Sequence, residues 1–144
     1  MIYNNLYIDQ NIGMLLNKLF NYVIMTCNKY KIDESHGLGH SMNVLYYTDE
    51  IINSESKKNV YILEQKNIIH TSAILHDMCD NKYINEKEGI ESIKTLLKDE
   101  LNDEEINVIR DIITLMSYSK VKINGFPNLG KYQLAYHIVR EEIY

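Results

Sequence analysis

The sequence lacks several features that would place it in a class at once. Among its 144 residues there are no tryptophan, one proline and two cysteines, which excludes a disulfide-stapled secreted domain and a proline-rich chain. It has no uncharged apolar run of about 18 residues, so no transmembrane helix is predicted. The first residues also lack the basic segment and apolar core of a secretion signal. These absences predict a soluble, intracellular, cytoplasmic protein.

Positive charge is also scarce. The formal net charge is −5, which argues against a partner such as long nucleic acid that needs a basic surface. A small anionic substrate remains compatible with this charge, because a bound metal ion can reverse the field locally. The two cysteines, Cys27 and Cys79, both lie in apolar helical patterns and are predicted to be free, buried thiols in a reducing compartment, with a disulfide between them as the alternative.

The apolar residues recur at helical spacing nearly everywhere, and no segment alternates with the period of a strand. We therefore predict one domain over residues 1–144, an all-α compact bundle of about six helices. "KVKINGFPNLG" holds the only proline and two of the six glycines, and it is predicted to be a loop. The predicted helices cover about residues 9–30, "SMNVLYYTDEIIN", about Val60 to Cys79, "INEKEGIESIKTLLKDEL", "NDEEINVIRDIITLMSYS" with Asn102 as N-cap, and the segment from near Lys131 to the end.

Ionisable residues interrupt one apolar run. In "AILHDMCDNKY", His76 and Asp77 are adjacent and Asp80 follows one turn later on the same flank. Imidazole and carboxylate suit Mn²⁺, Fe²⁺, Zn²⁺ or Mg²⁺, and a further ligand must then come from another helix. His36 and His40, in "SHGLGHSMNV", have the one-turn spacing that lets two side chains share a face. On spacing alone, a core histidine beside a carboxylate is the open alternative. Of the remaining histidines, His137 is predicted to be a core residue, and His70 is predicted to be a core residue or one that contacts a metal ligand.

Several ordered segments carry a family resemblance. "SHGLGHSMNV" resembles S-H-x-x-x-H-x-x-x-V, "AILHDMCDNKY" resembles an L-H-D motif with a following acidic-and-lysine segment, and "INEKEGIESI" is similar to the E-x-G helix that comes next. "DIITLMSYSK" looks like the I-I-x-x-M-S-Y stretch of small nucleotide-hydrolysing members. Over roughly residues 33 to 141, the chain thus resembles the HD-domain metal-dependent phosphohydrolases, closest to the small single-domain nucleotide (pyro)phosphohydrolases.

The resemblance implies a role for each matching residue. His40, His76 and Asp77 would bind a divalent metal ion (Mn, Mg, Fe, Co, Ni or Zn), and His36 would lie just outside these ligands or face substrate. Asp80 would position or deprotonate the attacking water. The substrate would be a nucleotide or another small phosphorylated molecule. Its phosphate would meet Lys82, with three further substrate-side candidates that could equally belong to a solvated loop: Tyr118, Lys120 and Lys122.

The chain departs from the family at one ligand. The family's fourth ligand is an Asp in a stretch resembling I-V-x-[DE]-A-D, and in "IVREEIY" this position falls on Ile143. Either Glu141 or Glu142 replaces it, a water fills its place, the site is weakened, or the chain end is altered relative to its relatives. The expected function is thus a phosphohydrolase, with a catalytically weakened nucleotide- or protein-binding module as the alternative. A purely structural helical adaptor is the third reading, if His40, His76 and Asp77 do not converge.

Overall fold

The computed structural model describes the backbone of residues 2–143 and the side chains of residues 13–141 and 143. This part of the chain is helical and contains no strand, which confirms the all-α fold class. Three short 3₁₀ turns, at Glu34–His36, Val60–Gln65 and Gly130–Tyr132, separate some of the α-helices. The α-helices are α1 (Ile2–Tyr30), α2 (Leu38–Glu55), α3 (Lys66–Leu75), α4 (Glu86–Leu97), α5 (Asp103–Leu115), α6 (Tyr118–Asn124) and α7 (Gln133–Ile143).

The short helix α3 is the centre of the bundle. It packs against α1, α2, α5 and α7, and its last seven residues except His70 are buried together with Ile68. Most of the core consists of isoleucine and leucine side chains, and several of those on the surrounding helices, such as Leu19, Ile52 and Ile109, are fully buried. A helix buried on all sides has a fixed direction, so the residues that follow its C-terminus are held in place.

The predicted third helix is wrong in its limits. Val60–Gln65 is a 3₁₀ turn, α3 ends at Leu75, and the chain then turns through residues 76–79, where Met78 N donates to Leu75 O at 2.9 Å. The turn is buried, so Met78 and Cys79 continue the apolar spacing although the chain is no longer α-helical. His76 and Asp77 therefore lie on a tight turn at the end of α3.

The predicted loop over "KVKINGFPNLG" is also partly wrong. Its first residues belong to α6, which begins after the N-cap Ser117 and ends at Asn124, before the C-cap Gly125 with its positive φ of 72°. None of the α6 residues is buried, so the segment lacks the apolar stripe that reveals a helix in sequence. By contrast, the N-cap Asn102 is confirmed, and it forms a reciprocal capping box with Glu105.

Two smaller expectations concern the thiols and the membrane. Cys27 and Cys79 are both free, and Cys79 is buried as expected, whereas the prediction that Cys27 is buried is wrong because this residue is only partly buried. Among the described residues, no helix has the length and the apolar character needed to span a bilayer.

Candidate metal centre and adjoining cleft

The turn after α3 presents His76 and Asp77 to each other. His76 Nε2 lies 2.9 Å from Asp77 Oδ2, and both side chains are largely buried, at 3% and 16% exposure. Adjacent side chains leave an α-helix about 100° apart, so they do not face each other across its surface. On the turn that follows Leu75, the side chains of His76 and Asp77 instead bend toward one point.

The start of α2 brings further imidazoles to the same carboxylate. His40 Nε2 lies 3.1 Å from His76 Nε2 and 3.6 Å from Asp77 Oδ2. His36 Nδ1, from the preceding 3₁₀ turn, lies 3.0 Å from Asp77 Oδ2. The buried hydroxyl of Ser41 donates to Ile74 O at 3.0 Å and fastens α2 to the end of α3. His36, His40 and Asp77 form a group that can hold a metal ion, since their ligand atoms lie within 4.8 Å of one another.

The proton on His76 can be placed from its contacts. Its Nδ1 is 2.6 Å from Ala73 O, and a carbonyl oxygen only accepts, so Nδ1 carries the proton and donates. In the neutral ring, Nε2 then turns a lone pair toward Asp77 Oδ2 and His40 Nε2. Facing lone pairs repel unless a proton or a metal cation lies between them. The hydrogen bond from Nδ1 to Ala73 O therefore holds His76 in the tautomer that a metal ligand needs.

Burial and charge shift two pKa values in this cluster. Desolvation by burial, assisted by the nearby His76, holds the pKa of His40 below its ordinary value, which keeps a lone pair available at neutral pH. Burial alone would raise the pKa of Asp77, but the adjacent imidazoles of His76 and His36 outweigh this effect and the pKa is lowered. Both shifts favour the protonation states in which these groups bind cations.

A cleft of about 250 Å³ opens beside His76 and Asp77. Its charged walls are Asp77, Asp80 and Glu86, together with Lys120. Lys120 Nζ lies 3.3 Å from Glu86 Oε2 and also donates to the carbonyl of Thr114. The carboxylates outnumber the ammonium, so a phosphate group needs a bound cation to be attracted here.

The substrate-side candidates divide into two groups. Asp80 and Lys120 line the cleft, and Asp80 Oδ1 accepts a hydrogen bond of 2.9 Å from the backbone N–H of Lys82. The Lys82 side chain is exposed, does not line the cleft, and has its Nζ 5.2 Å from the centre of the Tyr83 ring. Tyr118 and Lys122 are likewise exposed and outside the cleft lining.

Sequence reasoning missed Glu86 and Thr114 as cleft residues. Glu86 lies in the first turn of α4, where an acidic side chain is already explained by the helix dipole, so its position carries no separate signal. Cys79 also lines the cleft, but burial raises the pKa of its thiol to about 12. The thiol therefore remains protonated near neutral pH and is excluded as a nucleophile.

The C-terminal candidates lie apart from this group as far as their side chains are described. Ile143 is partly buried and packs against the hydrophobic core. Glu141 is exposed, and the side chain of Glu142 lies outside the described residues. The metal-binding group within the described residues thus includes no carboxylate from α7.

The other two histidines have partners elsewhere. His70 Nε2 is 3.1 Å from Asp49 Oδ1, on an apolar groove formed by α1, α2 and α3. His137 contacts Gln133 at 3.2 Å and packs its ring against Phe126. Neither belongs to the group that can hold a metal ion.

Gly89 determines how closely α4 approaches the turn that carries His76 and Asp77. A Cβ at this buried position would lie 3.2 Å from both Cys79 Sγ and Met78 O. We expect Gly89→Ala to destabilise the protein by about 1–3 kcal/mol, because the backbone of the turn must move. Urea unfolding measures the loss, and metal titration should show weaker binding.

Gly13→Ala is the matched control for this substitution. Gly13 is also helical, but a Cβ there would meet nothing within 4 Å. Alanine should stabilise this position by about 0.5–1 kcal/mol through its better helix propensity. Equal stabilisation by the two substitutions would show that the close approach at Gly89 is not a constraint.

Comparison with known proteins assigns no family. No family model matches the chain, and no curated protein or solved structure is significantly similar to it. The interpretation of the site therefore depends on the side-chain geometry and on the sequence motifs.

Proposed function

We propose that the chain is a metal-dependent phosphohydrolase that acts on nucleotide phosphate or phosphoanhydride bonds. One observation carries the proposal: His76 and Asp77, which lie next to His40, line the cleft that is walled by "DIITLMSYSK". Six of the ten residues of this stretch line the cleft. The segment that resembles nucleotide-hydrolysing proteins thus lies beside the group of residues that can bind a cation.

The donor set fits a divalent ion. Ligand atoms bound to one ion at about 2.1 Å lie about 3.0–3.4 Å apart when they are neighbours. The three distances among His40 Nε2, His76 Nε2 and Asp77 Oδ2 are 3.1, 2.9 and 3.6 Å. His40, His76 and Asp77 would hold the ion. When bound, a divalent ion would acidify a coordinated water and neutralise charge on phosphoryl oxygens.

The chain's own residues would supply the remaining chemistry. Asp80 is held by the Lys82 N–H on Oδ1, which leaves Oδ2 to accept a proton from the attacking water. Lys120 is the lysine that lines the cleft, and its ammonium would meet a phosphoryl oxygen there. Glu86 holds this ammonium in the cleft, so we place Lys120 ahead of Lys82 as the phosphate-binding lysine.

The proposal is tested by a screen for release of phosphate and pyrophosphate. Ribo- and deoxyribonucleotides are incubated with the protein and Mn²⁺, Mg²⁺, Co²⁺, Ni²⁺ or Zn²⁺. We expect release that depends on the metal and disappears with a chelator. Metal-independent release, or no bound metal after purification and titration, would contradict the proposal.

A second candidate function follows from Ile143. An apolar side chain packed on the core stands where the resemblance places a ligand carboxylate. This favours, as the alternative, a module that holds a nucleotide or a protein without turning it over. Nucleotide binding by calorimetry in the presence of metal, without product release, would establish this alternative.

A further inference from the structure

His36 is fixed where its ring can reach the metal-binding group. It ends the 3₁₀ turn Glu34–His36, whose N-cap Asp33 accepts from Ser35 N at 2.9 Å. The backbone N–H of His36 donates to Asp33 O at 2.9 Å. The two bonds fix the turn immediately before α2, and the His36 side chain is 38% exposed. This imidazole thus reaches Asp77 while remaining open to solvent.

The contacts of the His36 ring are compatible with metal ligation. Nδ1 lies 3.0 Å from Asp77 Oδ2, the same oxygen that His76 Nε2 approaches at 2.9 Å. Its ring centre is 6.0 Å from that of His40, in an edge-to-face arrangement. Atoms that bind one ion at about 2.1 Å are about 3.0 Å apart as neighbours and about 4.2 Å apart when opposite. The distance between Nδ1 and Asp77 Oδ2 fits the neighbouring positions.

We propose that His36 binds the metal directly through Nδ1 and supplies a fourth protein ligand, which no described side chain of α7 provides. This inference rests on the proposed metal site. Ile143 offers no ligand atom and Glu141 is exposed, whereas His36 belongs to the group whose ligand atoms converge. The metal is then held by three imidazoles and one carboxylate.

This ligand set narrows the choice of metal. Mg²⁺ and Ca²⁺ take oxygen ligands almost exclusively, while imidazole suits Zn²⁺, Co²⁺, Ni²⁺ and Fe²⁺. Three imidazoles therefore select a first-row transition metal ion. Mg²⁺ in hundredfold excess should not displace Co²⁺ from the site.

The test must separate a ligand from a residue that only orients Asp77. His36→Asn does so, because the asparagine amide nitrogen occupies the place of Nδ1 and can still donate to Asp77 Oδ2, but does not replace an imidazole as ligand. We expect Co²⁺ affinity to fall by about 100-fold or more, at or beyond the loss seen when a ligand loses its hydrogen-bonding partner. The visible absorption of bound Co²⁺ should change as well.

Pulsed electron paramagnetic resonance of the Cu²⁺-loaded protein gives a second readout, because it counts directly bound imidazoles. We expect three in the unaltered protein and two in His36→Asn. His137→Asn, which removes a histidine outside the group, should leave affinity and count unchanged. Circular dichroism of the metal-free variants shows that both are folded.

The outcomes distinguish this inference from the proposed function. If the unaltered protein bound none of the divalent ions of the screen, both would be overturned, and binding of Mg²⁺ without Co²⁺ would overturn the role of His36 alone. If the unaltered protein bound Co²⁺ and His36→Asn bound it equally well with the same imidazole count, only the role of His36 would be overturned. A loss of affinity with an unchanged count would likewise assign His36 to orienting Asp77.

Discussion

Asp77→Ala is expected to abolish metal binding and, with it, all metal-dependent release of phosphate. Asp77 Oδ2 is the atom that His36, His40 and His76 all approach, at 3.0, 3.6 and 2.9 Å. Its removal takes away the only anionic charge of the group and leaves the imidazoles without the atom around which they converge. Calorimetric titration with Mn²⁺ or Co²⁺ measures the loss directly.

Thermal unfolding provides a measurement of the same loss that is independent of activity. A metal at 100 times its dissociation constant stabilises the folded protein by about 2.7 kcal/mol, or about 5–10 °C for a chain of this size. We expect this rise in the unaltered protein and none in Asp77→Ala. Asp99→Ala, which removes an exposed carboxylate beyond α4, is the control and should keep the full rise. Phosphate release that persists in Asp77→Ala would indicate a contaminating enzyme.

Asp80→Asn is expected to slow turnover by about 100-fold or more while the metal remains bound, which is the usual scale for the loss of a general base. Asparagine keeps the carbonyl oxygen that accepts from Lys82 N–H, so the turn keeps its shape. It cannot take a proton from water. Steady-state kinetics with the nucleotide that is hydrolysed fastest in the screen measure the loss of turnover, and Co²⁺ titration shows whether the metal still binds.

Two other results for Asp80→Asn would assign a different role. Weakened Co²⁺ binding would make Asp80 a ligand. Unchanged turnover would exclude Asp80 as the general base, and another group would then accept the proton of the attacking water. Glu86→Gln is a suitable comparison, because Glu86 lines the same cleft but contacts Lys120. It should act through substrate affinity and thus on KM.

Much of the fold could be predicted because helical periodicity is a local property. The apolar stripes of α1, α4 and α5, and the cap at Asn102, are visible within single segments. The end of α3 was not predictable in this way. A buried turn keeps the same apolar residues as a buried helix, so the pattern continues past Leu75 although the backbone changes.

The site could be predicted only in part, for a related reason. The four-residue spacing of His36 and His40 is local and indicates a shared face. The adjacent His76 and Asp77 can reach one ion from the flank between them. The pairing of Glu86 with Lys120 joins two segments 34 residues apart and depends on how α4 and α6 pack. The contact of His36 with Asp77 spans 41 residues and follows from the 3₁₀ turn, which spacing does not reveal. The ligand roles themselves stay predictions.

The distance along the sequence between the His36–His40 segment and the His76–Asp77 segment has a consequence for the unfolded chain. An ion held by His36, His40, His76 and Asp77 would tie together residues that are 36 to 41 positions apart. Such a tie acts as a reversible cross-link, and closing a loop of this size in the denatured ensemble costs about 4 kcal/mol of chain entropy by the relation used for disulfides. Both cysteines are free, so no disulfide cross-links the chain in this way. Chelation would then release the beginning of α2 from the end of α3 and speed the opening of this corner, which hydrogen exchange at the backbone amides of residues 36–41 would report.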